Sequence, residues 1–161
     1  MATMLLKNAA LLVTIDDAQR QFQNGGLFAR NGVIDQVGPT DALPPTADQV
    51  IDAGGMVVLP GLVNTHHHLY QTLTRAVPAA QDAGLFDWLQ TLYPIWARMD
   101  DEAVYVSARL GLAELLLSGC TTVSDHLYLF PNGAKLDAEI QAARELGVRF
   151  QPCRGSMSLG Q

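Results

Sequence analysis

The stretch Met56-Val57-Val58-Leu59-Pro60-Gly61-Leu62-Val63-Asn64-Thr65-His66-His67-His68 decides the fold of this chain. Its apolar, β-branched residues predict a strand that enters a buried sheet, with a break at Pro60-Gly61. Side chains alternate between the two faces of a strand, so His66 and His68 are expected on one face and His67 on the other. Two imidazoles on one face at the end of a strand can bind one metal ion. A zinc ion held there would lower the pKa of bound water to about 7.

The composition is that of a globular chain with the length of one domain. Its 161 residues are 48% hydrophobic and carry a formal net charge of -6. Nucleic acid is excluded as the main partner, since phosphate binding needs a basic surface. No apolar run reaches the roughly 18 residues of a membrane span, and no secretory signal is visible, so we expect a cytoplasmic protein without a membrane partner. Cys120 and Cys153 are then expected to be free thiols.

Short strands and turns are predicted before the histidines. The strands are expected at residues 11–15, 26–30, 33–37 and 50–52. Asn31-Gly32 lies between two of them, which predicts a two-residue type I′ hairpin. A loop is expected over residues 39–48, where Pro44-Pro45 interrupts any regular element. These elements predict a small β-subdomain that leads into a larger unit.

Helices and strands alternate after the histidines. Helices are predicted at residues 85–96, 99–118 and 136–146, and strands at residues 120–126 and 148–153. Pro94 is expected to kink the first helix, and Gly119 and Gly147 are expected to end the other two. Strands separated by helices pair in parallel through right-handed crossovers. We therefore predict the α/β class and the first three strands of a (β/α)8 barrel of the TIM type.

The length of the chain falls short of that architecture. A (β/α)8 barrel takes about 250 residues, so we expect these 161 residues to be the N-terminal part of a longer protein. One alternative is a complete small α/β domain, which would leave an edge of its parallel sheet uncovered. If the chain is such a complete domain, its expected function is that of a self-contained metal-binding domain.

Several stretches resemble the amidohydrolase superfamily. Residues 60–68 are similar to its first barrel strand, and residues 51–59 to the segment that returns from its β-sandwich subdomain. Residues 114–122 are similar to the approach to the second strand in the aminohydrolase branch. The resemblance implies the N-terminal part of a β-sandwich subdomain at residues 1–58 and an incomplete metal-dependent (β/α) barrel at residues 59–161.

Within that branch the chain most resembles the 8-oxoguanine deaminases, near the triazine hydrolases and guanine deaminases. The stretches that carry this likeness are residues 66–71, 75–81, 124–128, 131–133 and 154–158. The resemblance implies zinc-dependent hydrolytic deamination of a small purine-type base, with 8-oxoguanine giving urate and ammonia. A triazine or an adenosine/thioadenosine-type aminohydrolase is the alternative activity. A non-catalytic scaffold on the same fold is the alternative of another class, although it would not need His66 and His68.

The resemblance also implies roles for individual residues. His66 and His68 would be two ligands of one catalytic divalent ion, zinc or alternatively iron, and Gln71 would bind a substrate carbonyl. The other ligands and the groups for proton transfer would come from later strands, so no catalytic acid or base is expected in this chain. Because a catalytic zinc usually has three protein ligands, we expect the chain alone to bind zinc weakly and to be inactive.

Other polar residues leave alternatives open. His126 ends the second barrel strand and would be a substrate contact, a structural histidine at the rim or a third metal ligand. Arg154 ends the third strand and would contact substrate or form a salt bridge. Asp125 is expected only to cap a turn, and His67 to face the covering helices. We expect the whole protein to be a homo-oligomer.

Overall fold

The structure, a computed structural model, describes residues 2–156. The chain divides into two compact units, Met1–Pro60 and Gly61–Gln161, two residues from the predicted boundary between residues 58 and 59. Met1 and residues 157–161 lie outside the described residues, and with them the outer ends of both predicted domains and the end of the family-like stretch 154–158. Within the described part of the chain, no helix has the length and apolar character to cross a membrane.

The first unit is built on one five-stranded sheet. Its strands are β1 (Thr3–Val13), β2 (Gln21–Arg30), β3 (Val33–Pro39), β4 (Gln49–Asp52) and β5 (Val57–Val58). Strands β1, β2 and β3 form antiparallel pairs, whereas β4 and β5 both run parallel to β1 along different parts of it. Leu5 and Phe28 centre one small buried cluster, and Ala9 and Leu12 centre another.

The predicted hairpin of the first unit is confirmed. Asn31 and Gly32 have φ values of 50° and 79°, and a type I′ turn requires positive φ at both positions. Strand β1, in contrast, begins at Thr3 rather than at the predicted residue 11. Its first half contains the polar residues Lys7 and Asn8, which interrupt the apolar pattern of a strand in the sequence. Pairing with β2 and β4 nevertheless holds it extended. Partners elsewhere in the sheet outweigh local preference here.

The second unit has a mixed α/β structure, as predicted. Its strands are β6 (Leu62–Asn64), β7 (Cys120–Leu127) and β8 (Arg149–Arg154), and its helices are α1 (Leu85–Trp96), α2 (Asp101–Leu117) and α3 (Leu136–Leu146). The three strands pair in parallel in the order β6-β7-β8. Gly119 and Gly147 follow α2 and α3 with φ values of 88° and 72°, so both predicted helix ends are confirmed.

Helices α2 and α3 cover β7 with a core of small and branched side chains. Ala108 and Leu112 of α2, Val123 of β7 and Ala142 of α3 belong to one buried cluster. Leu69, the residue after the histidine run, is part of the same cluster and is fully buried. The core therefore anchors the chain immediately beyond His68.

The predicted strand through residues 56–68 breaks at Pro60-Gly61 as expected, but it ends before the histidines and is not buried. The run forms two short strands, β5 in the sheet of the first unit and β6 in that of the second, separated at Pro60-Gly61. Strand β6 ends at Asn64, so the three histidines lie on the loop after it, and strand alternation does not set their directions. The predicted burial of the strand is also absent in the described residues, since Leu62 and Val63 are 59% and 64% exposed.

Local chemistry explains where the strand breaks and ends. Pro60 has no N–H to donate to a ladder. A side chain at Gly61 would come within 2.6 Å of Thr121 Cγ2, so only glycine fits against β7. Asn64 Oδ1 accepts the N–H of His66 at 2.9 Å, a side-chain hydrogen bond that turns the backbone out of the sheet.

Candidate metal centre

His66 and His68 converge on the loop after β6. Their ring centroids are 5.3 Å apart and their planes are nearly perpendicular, at 82°. Both residues line a cavity of about 300 Å³, together with Thr65, His67, Ser124, Asp125 and His126. The sequence prediction that these two imidazoles lie together therefore agrees with the geometry, although a loop rather than a strand brings them there.

The end of β7 holds this loop with three hydrogen bonds. The N–H of His126 donates to the carbonyl of His67 at 3.0 Å. The carbonyl of His126 lies 2.8 Å from Nδ1 of His68. Asp125 Oδ1 accepts the N–H of Leu69 at 2.5 Å. Side-chain and backbone groups of β7 thus replace the regular ladder beyond Asn64.

The contact with His126 also fixes the tautomer of His68. A carbonyl oxygen can only accept, so Nδ1 of His68 carries the proton and Nε2 keeps a free lone pair. Histidines that bind metals are oriented in this way by a partner on the second ring nitrogen. His66 and His68 therefore fit two ligand positions of one divalent ion. Among residues 2–156 no three His, Cys, Asp or Glu side chains are grouped to hold an ion.

His67 lies half-buried between the two candidate ligands. Its Nδ1 is buried and has no hydrogen-bond partner within the described residues. Burial lowers the pKa of the His67 imidazole, and the nearby Asp125 carboxyl only partly opposes this shift. His67 is therefore a neutral side chain of the loop, and its predicted direction towards the covering helices stays a prediction.

Gln71 lies in a 3₁₀ helix, Leu69–Thr74, that directly follows the histidines. It lines a second cavity of about 240 Å³ together with the three histidines, Thr72 and Arg75. Its Nε2 donates to the hydroxyl of Tyr70 at 3.0 Å, which fixes the orientation of the amide. The implied role of Gln71 as a substrate contact stays a prediction, with the residue at the wall of a cavity that His66 and His68 share.

His126 lies at the rim of the first cavity. Its ring centroid is 5.6 Å from that of His68 and 5.4 Å from that of Tyr128. Gly155 packs against it so closely that a Cβ there would overlap the His126 ring and approach Tyr128 Cβ to 2.7 Å. The third-ligand interpretation lacks support in the described part of the chain, where no three-ligand group occurs. The substrate-contact and structural interpretations of His126 both stay open.

Arg154 ends β8, as predicted, but is engaged elsewhere. Its guanidinium lies over the ring of Phe130, 4.6 Å from the centroid, in a cation–π contact. It does not line either histidine cavity as the structure describes them. The predicted substrate contact of Arg154 therefore stays a prediction without a described contact to support it.

Sequence reasoning missed a buried pair of carboxyl groups behind the loop. Asp125, which was predicted only to cap a turn, is 1% exposed, and Glu139 of α3 is 0% exposed. Burial, followed by the charge of Asp125, raises the pKa of Glu139 to about 10, and burial raises the pKa of Asp125. The helical spacing of the sequence could have indicated that Glu139 is buried, because Glu139 lies on the same face of α3 as Ala142 and Ala143.

Known proteins resemble the chain over nearly its whole length. The sequence profile of the Amidohydrolase family matches residues 57–160. The chain is 52% identical over 141 residues to the 8-oxoguanine deaminase of Pseudomonas aeruginosa, covering 85% of this chain and 31% of that protein. It is 39% identical over 151 residues to the 5-methylthioadenosine/S-adenosylhomocysteine deaminase of Syntrophobacter fumaroxidans, covering 92% of this chain and 32% of that protein.

A solved structure gives the same relationship. The fold matches the atrazine chlorohydrolase TrzN of Arthrobacter aurescens TC1, complexed with zinc, with a TM-score of 0.89 and 32% identity, over 98% of this chain and 36% of that one. The chain thus spans about a third of the length of these relatives. The zinc in this relative supports a divalent metal ion as the cofactor. With the profile matched over residues 57–160 and a relative at 52% identity, the chain belongs to the Amidohydrolase family.

Proposed function

We propose that the chain is the N-terminal third of a zinc-dependent hydrolytic deaminase, whose (β/α)8 barrel opens with β6, β7 and β8. The convergence of His66 and His68, with Nδ1 of His68 on a backbone carbonyl, is the observation that carries the proposal. The relatives are about three times as long as the chain, which supports a whole protein with about twice as many further residues. The strands β6, β7 and β8 pair in parallel and are separated by helices, which supports the (β/α)8 barrel.

The residues of the chain divide the work of the site. His66 and His68 hold the ion, which when bound would activate water for hydrolysis of a carbon–nitrogen bond. The His126 carbonyl keeps the proton on Nδ1 of His68 and leaves Nε2 free as a ligand atom. Gln71 contacts the heterocycle from the cavity wall. The remaining ligands and the acid–base group belong to the rest of the polypeptide, since catalytic zinc usually takes three protein ligands.

A small purine-type base, 8-oxoguanine first, is the substrate we infer. The identity of 52% with an 8-oxoguanine deaminase, against 39% with the deaminase of thioadenosine-type substrates, favours this choice. A triazine or an adenosine/thioadenosine-type substrate is the second candidate, because the Syntrophobacter fumaroxidans deaminase and the TrzN structure match 92% and 98% of the chain. The paired histidines speak against a scaffold without catalysis, and iron is the alternative to zinc.

A metal analysis and a substrate panel on the full-length protein test this function. We expect about one zinc per chain after purification without chelators, and release of urate and ammonia from 8-oxoguanine. Turnover of an aminotriazine or a thioadenosine, with no turnover of 8-oxoguanine or guanine, would overturn the proposed substrate. A protein without metal would favour the scaffold. The 161-residue chain alone serves as the control and is expected to be inactive.

A further inference from the structure

The backbone that follows the candidate ligand His68 is held by buried side chains from two separate elements. Asp125 of β7 accepts the N–H of Leu69 at 2.5 Å. Ser107 of α2 donates its hydroxyl to the carbonyl of Leu69 at 2.8 Å and accepts the N–H of Leu73 at 3.3 Å. Both peptide groups of Leu69 are thus fixed, and its side chain is fully buried. The direction of the chain at His68 follows from these contacts.

Asp125 is an unusual group to hold a backbone in this position. It is 1% exposed, and its second oxygen, Oδ2, has no hydrogen-bond partner among the described residues. The same is true of both carboxyl oxygens of Glu139, which comes from α3. Two buried carboxylates with three oxygens left without a donor would be strongly unfavourable.

A single proton removes the conflict. A protonated Glu139 can donate to Asp125, and Asp125 then stays ionised and is the stronger acceptor for the N–H of Leu69. The pKa of Glu139 agrees, since burial and the charge of Asp125 raise it to about 10, so the acid is neutral at pH 7. The neutral acid therefore ties α3 to β7, and β7 in turn holds the histidine loop.

We propose that Asp125 and Glu139 are positioning residues of the metal site, with Asp125 fixing the backbone beyond His68 and protonated Glu139 holding Asp125 in place. The inference rests on the proposed function, because it takes His66 and His68 as the ligands of a metal ion. Neither carboxyl group contacts the ion in this arrangement. Both act through the backbone of Leu69 and so set the direction of the His68 ring.

The test is zinc affinity of the full-length protein, measured by competition with a chromophoric chelator. We expect Asp125→Ala and Glu139→Leu to weaken zinc binding roughly 10-fold, the lower end for loss of an outer-shell partner. Glu139→Gln keeps a donor for Asp125 and is expected to bind zinc as the wild type does. Asp137→Leu, at an exposed position of the same helix, is the matched control and is expected to have no effect.

The outcomes separate this inference from the proposed function. A wild-type protein that binds no zinc overturns both. A wild type that binds zinc, with Glu139→Leu folded and equally tight, overturns only the positioning role. If Glu139→Gln loses as much zinc affinity as Glu139→Leu, the proposal that Glu139 holds Asp125 by donating a hydrogen bond is wrong. Circular dichroism checks folding, and should Asp125→Ala fail to fold, the two Glu139 variants alone decide the outcome.

Discussion

The two units of the chain use polar side chains in opposite ways. In Met1–Pro60, the hydroxyl of Thr3 donates to Asp48 at 2.8 Å and the guanidinium of Arg20 to Asp16 at 2.6 Å, and both contacts are exposed. Water can replace either partner there, so such exposed contacts contribute little to stability.

In the second unit several polar groups lie inside the core. Asp125, Glu139 and Ser107 are all buried, and Asp125 and Ser107 hold the backbone next to His68. Buried polar groups are unfavourable unless their partners are fixed, and a packed apolar core would be more stable. We infer that the second unit gives up stability to set the geometry of the loop at His68, where we propose the metal site.

The largest effect should come from the candidate ligands themselves. We expect His66→Ala or His68→Ala to abolish stoichiometric zinc in the full-length protein, a loss beyond the roughly 10–100-fold typical of outer-shell partners. His67→Ala is the matched control on the same loop and should retain the ion. Metal content by plasma mass spectrometry measures all three. Equal loss in the three variants would mean that the loop, rather than a ligand pair, is what the ion needs.

Local signals in the sequence predicted much of the fold. Asn31-Gly32, Gly119 and Gly147 each require a positive φ, and each ends an element where predicted. The carboxylate of Asp100 accepts the N–H of Ala103 at 2.9 Å and caps the second helix, which begins at Asp101, two residues after its predicted start. These features depend on a few neighbouring residues, so they can be predicted from the sequence alone.

The site was less predictable because its contacts are distant in the chain. Alternation on a strand predicted that His66 and His68 lie together, whereas in the structure a loop held by hydrogen bonds from β7 brings them together. Glu139 meets Asp125 only once α3 has packed on its strand. A glutamate in the sequence is normally read as exposed, and only its place among buried alanines on one helical face indicates otherwise.

The buried acid Glu139 should make the stability of the second unit depend on pH in the neutral and alkaline range. The pKa of Glu139 is near 4.5 in an unfolded chain and about 10 in the folded one, so between these values the folded state holds one more proton. Stability should then fall as pH rises, by up to about 1.4 kcal/mol per pH unit.

The variant Glu139→Gln has no proton to lose and should not show this slope. We expect its midpoint of thermal unfolding, relative to that of the wild type, to rise steadily between pH 6 and pH 9. Glu145→Gln, an exposed change on the same helix, is the control. Parallel curves for the wild type and Glu139→Gln would show that Glu139 is already ionised in the folded protein.

A smaller effect should distinguish a tightly packed glycine of the second unit from an open glycine of the first. A Cβ at Gly111 of α2 would lie 2.7 Å from Thr72 Oγ1 and 2.9 Å from Leu69 Cδ2, whereas a Cβ at Gly38 of β3 meets nothing within 4 Å. Gly111→Ala should destabilise the protein by about 1–3 kcal/mol through overpacking. Gly38→Ala should be neutral or slightly stabilising. Calorimetric midpoints test the opposite signs, and shifts of the same sign would contradict the packing difference.

The smallest effect on the metal site is expected from Asp16→Ala in the first unit. Asp16 accepts the backbone N–H of Arg20 at 3.1 Å and its guanidinium at 2.6 Å, and these bonds lower the pKa of Asp16 to about 2. Its carboxylate is therefore ionised at pH 7, yet water can satisfy Arg20 once it is removed. Zinc affinity should match that of the wild type, in contrast to the weakening expected for Asp125→Ala. A comparable loss would mean that exposed carboxylates control the site as strongly as buried ones, and burial would then no longer explain why the loop at His68 is held.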